Sequence, residues 1–461
     1  MKKLASPVIA LLITTALFVT GCNNTGGGGT SGGGDKVRIG VFMSLTGSTA
    51  NFGISSVNGI KMAADEVNAA GGINGKQVEM LVQDDRSDAS EAATIVTKFV
   101  TQDQVHAILG EVASSRSIAA APIAQNAKIP MLTPSSTNPE VTKKGNFIFR
   151  SCFIDPVQGA AIAQFAAKTL NAKRAAIMVD RKNDYSTGLE KVISEVFTRM
   201  GGQIVATQSY QEGDQDFNAQ LTSLKGANPE VIFVPGYYND VGLVAKQARD
   251  KGINVPLIGG DGWDSAQLYA IGGAALNGSF FTNHYSPFDT DPKVQKFVND
   301  YKARYGGVPD ALAATAYDAA QIMMDAIKRA GSLDGTAIRD ALAATNNFPG
   351  VTGNVTFNEN RDAVKPIIMI EIKDGGSYAV RERVNVEGAA MPSSSPASSA
   401  SPATTGSPAA GGSPSPATGT NANMGANTNA TGNTNANSNA NMNANGGGAT
   451  RNANASPTAT P

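Results

Sequence analysis

Short apolar runs alternate along this chain with segments whose apolar residues have helical spacing. Residues 37–43 (VRIGVFM) predict a buried strand, and residues 77–85 (QVEMLVQDD) predict a second one. Residues 55–72 and 91–102 have the spacing of amphipathic helices, and a Gly-Gly pair ends the first of them. This order is typical of a parallel sheet with helices on both faces.

The alternation of strands and helices starts again after Asp155, so the sequence predicts two α/β lobes in series. Two more long helices are predicted at residues 294–306 and 311–331, and both could return to the first lobe. Residues 353–360 and 366–375 look like a hairpin of strands that could return to the second lobe.

The first 22 residues have the form of a secretory signal peptide. Lys2 and Lys3 precede an apolar run, and small residues then lead to Cys22. The stretch VTGC resembles a bacterial lipobox, in which the cysteine is lipidated and becomes the new N-terminus. The alternatives are a cleaved signal peptide with a chance cysteine, or an uncleaved transmembrane helix, for which the run is short. Residues 23–34 (NNTGGGGTSGGG) predict a flexible glycine-rich tether.

The last part of the chain, residues 388–461, has a composition that cannot form a core. It contains no Asp, Glu, Leu, Ile, Val or aromatic residue, and its single charge is Arg451. We therefore expect a disordered low-complexity tail. A role as a cell-wall spacer or surface shield has no motif to support it, and the Asn-rich part could favour aggregation. Residues 35–387 remain for two domains.

Composition argues against several classes of function. The formal net charge is −1 and no basic run occurs, so we expect no nucleic-acid partner. Once Cys22 is lipidated, Cys152 has no partner for an intramolecular disulfide, and we expect it to be buried. His106 and His284 stand in no arrangement typical of zinc, so we expect neither a metal nor a cofactor. Outside the glycine-rich residues 23–34, no G-x-G-x-x-G, Walker or G-x-S-x-G motif is present, which argues against an enzyme.

An acid with a glycine on each side follows a predicted apolar strand. The stretch GGDGWDS, residues 259–265, contains Asp261 and the chain's single tryptophan, Trp263. Ligands of open α/β sheets bind at the carboxyl ends of strands, so Asp261 is a candidate ligand residue. The alternative is a turn aspartate that hydrogen-bonds its own backbone.

Two stretches rich in serine and threonine are also candidates. The stretch GEVASSRS ends a strand and opens a helix, so Ser114 and the backbone N–H groups near it could hold a carboxylate. The alternative is that Ser114 serves only as the helix N-cap. In residues 135–140 (SSTNPE), Thr137 and Glu140 have the spacing of a capping box.

Several segments together resemble the leucine/isoleucine/valine-binding protein family, the type I periplasmic binding proteins that serve branched-chain amino-acid ABC importers. The segments are GVFMSLTGSTANFG, AADEVNAAGGINGKQVEMLVQDDRSD, TPSSTNPEVT, GGDGWDSAQL and AATAYDAAQIMMDAIKRAG, and the likeness runs from about Lys36 to about Glu387. The resemblance implies an α/β fold of two Rossmann-like parallel-sheet lobes joined by three crossings of the chain. Lobe one would comprise residues 35–155 and 285–353, and lobe two residues 156–284 and 354–387.

The resemblance also implies the ligand contacts. Asp261 would face the α-ammonium group of an amino acid, Ser114 would hold its carboxylate, and further hydroxyls would touch both groups. Three aromatic residues, which we expect on loops at strand ends, would cover aliphatic ligand surface. The expected ligand contacts are Phe52, Ala113, Ser114, Ser135, Ser136, Thr137, Tyr185, Tyr237 and Asp261.

The chain departs from the family at two places. The branched-chain receptor has a glutamate where this chain has the shorter Asp261, so the ligand must lie closer or leave room for a water. The family's archetype closes a disulfide between two loops whose matching positions here are Ser87 and Ala113, so packing must replace that bond.

These features predict a lipid-anchored solute-binding protein of an ABC importer. It would capture an amino acid, branched-chain or otherwise small and apolar, between two closing lobes and deliver it as a monomer to a permease in the inner membrane. We expect it in the periplasm or on the outer face of the cytoplasmic membrane, anchored through the lipid on Cys22. The alternatives are a sensory receptor of the same fold that feeds a signalling partner and, further off, an envelope enzyme.

Overall fold

The computed structural model describes residues 36–384, so the predicted signal peptide, Cys22, the tether and the tail lie outside the described residues. The strands are β1 Val37–Met43, β2 Val78–Asp84, β3 Ala107–Leu109, β4 Met131–Thr133, β5 Ile148–Arg150, β6 Arg174–Asp180, β7 Gln203–Tyr210, β8 Val231–Phe233, β9 Leu257–Gly259, β10 Phe280–Asn283, β11 Phe348–Gly350, β12 Gly353–Val355, β13 Ile367–Ile372 and β14 Tyr378–Val384. The α-helices are α1 Ala50–Ala69, α2 Ala89–Lys98, α3 Ser114–Ala127, α4 Asp155–Gln164, α5 Asp184–Arg199, α6 Asn218–Gly226, α7 Tyr238–Asp250, α8 Ala266–Gly272, α9 Pro292–Tyr305, α10 Ala311–Ala330 and α11 Gly335–Ala343.

The first sheet has the strand order β2-β1-β3-β4-β5, and all neighbouring strands run parallel. Successive strand residues point to opposite faces, so Val41 and Phe42 enter different apolar clusters. Helices α2 and α3 cover the Phe42 face, and α1 and α10 cover the other. Helix α9 packs on α1 and α11 packs on α10, so helices from late in the chain return here. We call this sheet with its helices lobe one.

The second sheet has the strand order β14-β13-β10-β9-β8-β6-β7. The strands β6 to β10 run parallel, whereas β13 is antiparallel to both of its neighbours. Helices α4 and α5 pack together, as do α7 and α8. We call this sheet with its helices lobe two. The predicted fold class, two α/β lobes built on parallel sheets, is confirmed.

The predicted hairpin of residues 353–360 and 366–375 is wrong. Strand β12 pairs with β11 in a separate two-stranded ladder, and β13 pairs with β10 and β14. The residues between β12 and β13 carry the chain from one lobe to the other, so these two strands do not meet. An apolar run predicts a strand, but it does not indicate which other strand will pair with it.

Three connections join the lobes: β5 to α4, β10 to α9, and β12 to β13. The residue boundaries that we expect for the lobes stay a prediction. Within residues 36–384, no helix is long and apolar enough to cross a membrane.

A buried ion pair ties the first connection to the third. Nε of Arg150, which is fully buried, donates to Oδ1 of Asp362 at 2.6 Å. The other two nitrogens of the guanidinium donate to the Ser136 carbonyl at 2.6 Å and to the Thr142 hydroxyl at 3.1 Å. Cys152, two residues further on, is buried with a free thiol, and burial raises the pKa of that thiol.

Candidate functional site

A small, narrow cavity lies between the two lobes, and residues of both lobes line it. Most of the predicted ligand residues line it, but Ala113, Ser136 and Thr137 do not. The lining residues are Phe52, Val112, Ser114, Ser135 and Leu312 from lobe one, and Tyr185, Tyr237, Asp261 and Gly262 from lobe two.

The start of helix α3 forms the polar wall of the cavity on lobe one. The helix begins at Ser114, and its N-cap is Ala113, whose side chain makes no capping bond. Ser114 is therefore not the N-cap, which was the alternative considered above. Its hydroxyl accepts a hydrogen bond from the Asn138 N–H at 3.2 Å. The N–H groups of a first helical turn have no partner within the helix, so this wall suits a carboxylate.

The segment after β4 contains three predicted ligand residues with different surroundings. The Ser135 hydroxyl lies at the cavity, 2.7 Å from the Thr315 hydroxyl of α10. The Ser136 hydroxyl is turned into lobe one and donates to the Glu111 carbonyl at 2.8 Å. The Thr137 hydroxyl is buried and makes no hydrogen bond within the described residues. Ser135 is thus the one member of this trio that reaches the cavity.

The capping box predicted at Thr137 and Glu140 is wrong. No helix begins there, because the Asn138 side chain accepts the Glu140 N–H at 2.9 Å and forms a local turn instead. A short 3₁₀ turn follows at Thr142–Lys144.

Asp261 lies just after β9, with one glycine between them, and one of its carboxylate oxygens makes no hydrogen bond. Its Oδ2 lies 3.0 Å from Nε2 of His284. Its Oδ1 is buried and has no hydrogen-bond partner in the described part of the chain. The backbone N–H of Asp261 donates to Oε1 of Gln158 at 2.8 Å. The alternative required the Asp261 side chain to hydrogen-bond its own backbone, and it does not. A buried carboxylate oxygen without a hydrogen-bond partner points to a ligand.

The glycines beside Asp261 let its backbone lie against two tyrosines. A Cβ on Gly260 would lie 2.2 Å from the Tyr185 hydroxyl, and one on Gly262 would lie 2.8 Å from the Tyr237 ring. The Gly262 N–H donates to the Tyr185 hydroxyl at 3.2 Å. Glycine is therefore required at both positions, because the backbone lies so close to Tyr185 and Tyr237. This close approach places Asp261 beside the two tyrosine rings.

We expect Gly262→Ala to lower the free energy of unfolding by about 1–3 kcal/mol, because the added methyl group overpacks a buried site. The methyl would also meet the Gly236 carbonyl at 2.9 Å, and that backbone cannot turn aside. Urea denaturation followed by circular dichroism measures the loss. The matched control is Gly226→Ala in α6, where nothing lies within 4 Å of the new Cβ. Equal stability of the two variants would contradict the prediction.

The three predicted aromatic residues lie together at the cavity. The Tyr185 and Tyr237 rings stack at 5.3 Å, and Phe52 meets the Tyr237 ring edge-on at 5.4 Å. The prediction that they lie on loops is confirmed for Tyr237, which has extended backbone between β8 and α7. It is wrong for Phe52 and Tyr185, which are in first helical turns. Helix α1 begins at Ala50, earlier than its apolar spacing indicates. Burial raises the pKa of both tyrosines well above the ordinary value, so they stay neutral.

The lobes also touch through residues that do not line the cavity. The Tyr238 hydroxyl of lobe two donates to the Ser48 carbonyl of lobe one at 3.1 Å and accepts from Asn51 Nδ2 at 3.2 Å. Elsewhere the Asp184 N–H donates to the Ser115 hydroxyl at 2.8 Å. The arrangement is therefore the closed one.

A second buried acid, Asp155, is connected to Asp261 through Gln158. The Gln158 Nε2 donates to Oδ1 of Asp155 at 3.2 Å. Burial raises the pKa of Asp155 to about 7, and the negative charge of Asp261 adds to the shift. The Thr137 hydroxyl is near enough to oppose that shift but lies outside hydrogen-bonding geometry. Within residues 36–384, no cluster of His, Cys, Asp and Glu could hold a metal ion.

Comparison with known proteins identifies the family. A model described as periplasmic binding protein matches residues 36–377. The chain belongs to the periplasmic binding protein family. A relative from Pseudomonas aeruginosa, named as a leucine-, isoleucine-, valine-, threonine- and alanine-binding protein, is 31% identical over 71% of this chain and 87% of its own length.

Two solved structures extend the comparison. A leucine-binding protein from Thermotoga maritima is 42% identical with a TM-score of 0.73, covering 76% of this chain and 99% of its own. A branched-chain amino-acid transporter substrate-binding protein from Streptococcus pneumoniae, in complex with isoleucine, is 35% identical with a TM-score of 0.71 and the same coverages, 76% and 99%. The resemblance drawn from the sequence is confirmed: the chain belongs among the substrate-binding proteins of branched-chain amino-acid ABC transporters, which are extracytoplasmic and not enzymes.

This periplasmic binding protein ties together, by hydrogen bonds, the loops that a disulfide closes in the archetype. Arg116, which lies three residues after Ala113 in α3, donates to the Ser87 carbonyl at 3.3 Å and to the Thr49 hydroxyl at 2.7 Å. Arg116 also lies 3.1 Å from the Glu111 carboxylate, so its buried charge has a partner.

Sequence reasoning missed two side chains that line the cavity of this binding protein, Val112 and Leu312, and two side chains bonded to Asp261, His284 and Gln158. One signal was available for His284, because it directly follows β10 and β10 is the parallel neighbour of β9. The carboxyl ends of adjacent parallel strands meet at one edge, so the rule that selects Asp261 also selects His284. Leu312 comes from α10, and local sequence carries no signal that brings it to the cavity.

Proposed function

We propose that this chain is an extracytoplasmic receptor that captures a small apolar amino acid, with branched-chain side chains favoured, and delivers it to an ABC permease. The observation that carries the proposal is the unpaired Oδ1 of Asp261, buried beside a cavity whose other wall is the start of α3. A buried carboxylate oxygen of this kind suits an ammonium group, which forms short and strong bonds to it.

The two charged ends of an amino acid then have separate partners. The ligand carboxylate lies against the Ser114 hydroxyl and the first turn of α3 on lobe one. The ligand ammonium lies against Asp261 on lobe two. Apolar surface from Val112, Leu312 and Phe52 takes the aliphatic side chain, and the limited volume favours a short one.

A ligand held in this way bridges both lobes and therefore favours the closed form. Its differential affinity for the closed over the open arrangement drives closure, because only closure brings both walls to the ligand. Both walls come from one chain, which supports action as a monomer.

The names of the relatives support the choice of ligand. The Pseudomonas aeruginosa relative is named for five small amino acids, and the Streptococcus pneumoniae structure contains isoleucine. All of these ligands combine an α-ammonium, a carboxylate and a small side chain. This is the pattern of charge and size for which the cavity has partners.

Isothermal titration calorimetry with a panel of ligands tests the proposal. The panel contains L-leucine, L-isoleucine, L-valine, L-alanine and L-threonine, with D-leucine and benzoate as controls. We expect at least one L-amino acid to bind with a Kd in the micromolar range or tighter, about −8 kcal/mol, and both controls to bind far more weakly. Tight binding of benzoate together with no binding of any amino acid would refute the proposed ligand class.

The proposed membrane attachment rests on Cys22. We expect Cys22→Ala to abolish fatty-acid labelling and to shift the protein from the membrane fraction to the soluble or secreted fraction, because the lipid is attached to that sulfur. Metabolic labelling with a palmitate analogue measures this, and Cys152→Ala is the matched control because its thiol is buried. Unchanged labelling of the Cys22→Ala variant would exclude the lipobox.

A further inference from the structure

The two oxygens of the Asp261 carboxylate have different surroundings. Nε2 of His284 lies 3.0 Å from Oδ2, and the His284 side chain is fully buried. Oδ1 is also buried and has no hydrogen-bond partner among residues 36–384. His284 therefore holds one oxygen and leaves the other available.

His284 is itself held by its surroundings at the point where the chain leaves lobe two. Its ring stacks on Phe153, with 3.9 Å between the ring centres and 21° between their planes. Its backbone N–H donates to the side chain of Asn283 at 2.8 Å, and that side chain donates to Asp264 at 2.9 Å. The imidazole has little freedom to leave Asp261.

Hydrogen-bond accounting places a hydrogen on Nε2 of His284. A carboxylate only accepts hydrogen bonds, so Nε2 must carry the hydrogen that faces Oδ2. Nδ1 of His284 is buried without a partner in the described part of the chain. Nε2 of His284 therefore donates its hydrogen to Oδ2 of Asp261, and the hydrogen bond leaves Oδ1 available.

The neighbouring acid does not compete for this role. Burial, reinforced by the charge of Asp261, raises the pKa of Asp155 to about 7, well above that of an ordinary carboxyl. Its Oδ1 accepts from Gln158 at 3.2 Å and its Oδ2 has no hydrogen-bond partner in the described part of the chain, but Asp155 does not line the cavity. The negative charge that a ligand meets belongs to Asp261.

We propose that His284 is a positioning and specificity-determining residue: as a hydrogen-bond donor to Oδ2, it orients Asp261 so that Oδ1 receives the ligand ammonium. This inference rests on the proposed function. Its consequence is that His284 sets the preference of the site for an amino acid over the same carboxylic acid without the amino group. Its ring does not touch the ligand and acts through Asp261.

Two probes with the same aliphatic chain test this role: L-leucine and 4-methylpentanoate, which lacks the amino group. We expect His284→Leu to weaken L-leucine binding by about 10- to 100-fold, the range for losing a hydrogen bond to a charged group. The same variant should change 4-methylpentanoate binding less than about threefold. Calorimetry gives both affinities, and thermal melting verifies folding.

Rescue separates positioning from packing. The amide of His284→Gln can reach Oδ2 and donate to it, so this variant should bind L-leucine within about threefold of the parent. His284→Leu added to Asp261→Asn should cause no further loss, because the residue acts through Asp261. If His284→Leu does not fold, His284→Asn, whose amide is too short to reach Oδ2, takes its place with the same expectation.

Three results would overturn the inference. Equal weakening of both probes would assign His284 a purely structural role, and unchanged L-leucine binding would remove any role. A His284→Gln variant as weak as His284→Leu would exclude positioning by a donor. A parent protein that binds neither L-leucine nor any other L-amino acid of the panel more tightly than its analogue overturns the proposed function, and this inference with it.

Discussion

Asp261→Asn is expected to weaken amino-acid binding by about 30- to 1,000-fold, a loss of about 2–4 kcal/mol. The substitution keeps the shape of the side chain and removes its charge. The ligand ammonium would then be buried in the closed cavity without a counter-charge, since no other acidic residue is among those that line it. Charges in such a site are weakly screened, so the loss is larger than at a protein surface.

Calorimetric titration of the parent and the variant with the best ligand of the panel measures this loss. The matched control is Asp155→Asn, which also removes a buried carboxyl but at a side chain that does not line the cavity. Because the pKa of Asp155 is already raised to about 7, its replacement by a neutral amide should change affinity at pH 6 by less than about threefold. A change of threefold or less in Asp261→Asn as well would mean that Asp261 is not the ammonium's partner.

Arg150→Leu is expected to lower the free energy of unfolding by about 3–5 kcal/mol. Arg150 is fully buried and pairs with Asp362 at 2.6 Å, so its removal leaves a buried carboxylate without its ion-pair partner. The Ser136 carbonyl and the Thr142 hydroxyl lose donors in the same step. Urea denaturation at neutral pH measures the change.

Two further variants serve as controls for Arg150→Leu. Lys143→Ala removes a surface ion pair with Glu140 and should cost no more than about 1 kcal/mol, because exposed pairs contribute little. Arg150→Leu combined with Asp362→Leu should recover part of the loss, since it removes the stranded charge. A cost of less than about 1 kcal/mol for Arg150→Leu alone would show that water reaches this site.

Local pattern was enough to predict most of the framework. The continuous apolar strand at residues 37–43 and the helical spacing after it reflect burial in a sheet covered by helices. This burial is visible in the apolar pattern of each segment alone. The errors concern which strands pair and which groups hydrogen-bond to each other. The pairing of β12 with β11 depends on where the chain crosses between lobes, and the false capping box failed because Asn138 takes the Glu140 N–H.

The site divides in the same way. Asp261 was predictable because an acid between glycines at a strand end is unusual, and its neighbours Tyr185 and Tyr237 explain the glycines. His284 and Leu312 reach the cavity through strand adjacency and a returning helix, which are properties of the assembled fold. Resemblance to the family supplied the roles that the residues themselves left open.

The order in which the two lobes receive their parts has a consequence for how the chain folds. Helix α10 of lobe one follows nearly all of lobe two in the sequence, and β13 fills the space between β10 and β14 only near the end. The Arg150–Asp362 pair joins residues 212 positions apart. Contacts so distant along the chain slow folding, and neither lobe has all of its elements until segments that follow most of the other lobe have emerged from the ribosome. The nascent polypeptide thus remains incompletely folded until late in its synthesis, which is the state that the export proposed here requires for threading through a translocation channel.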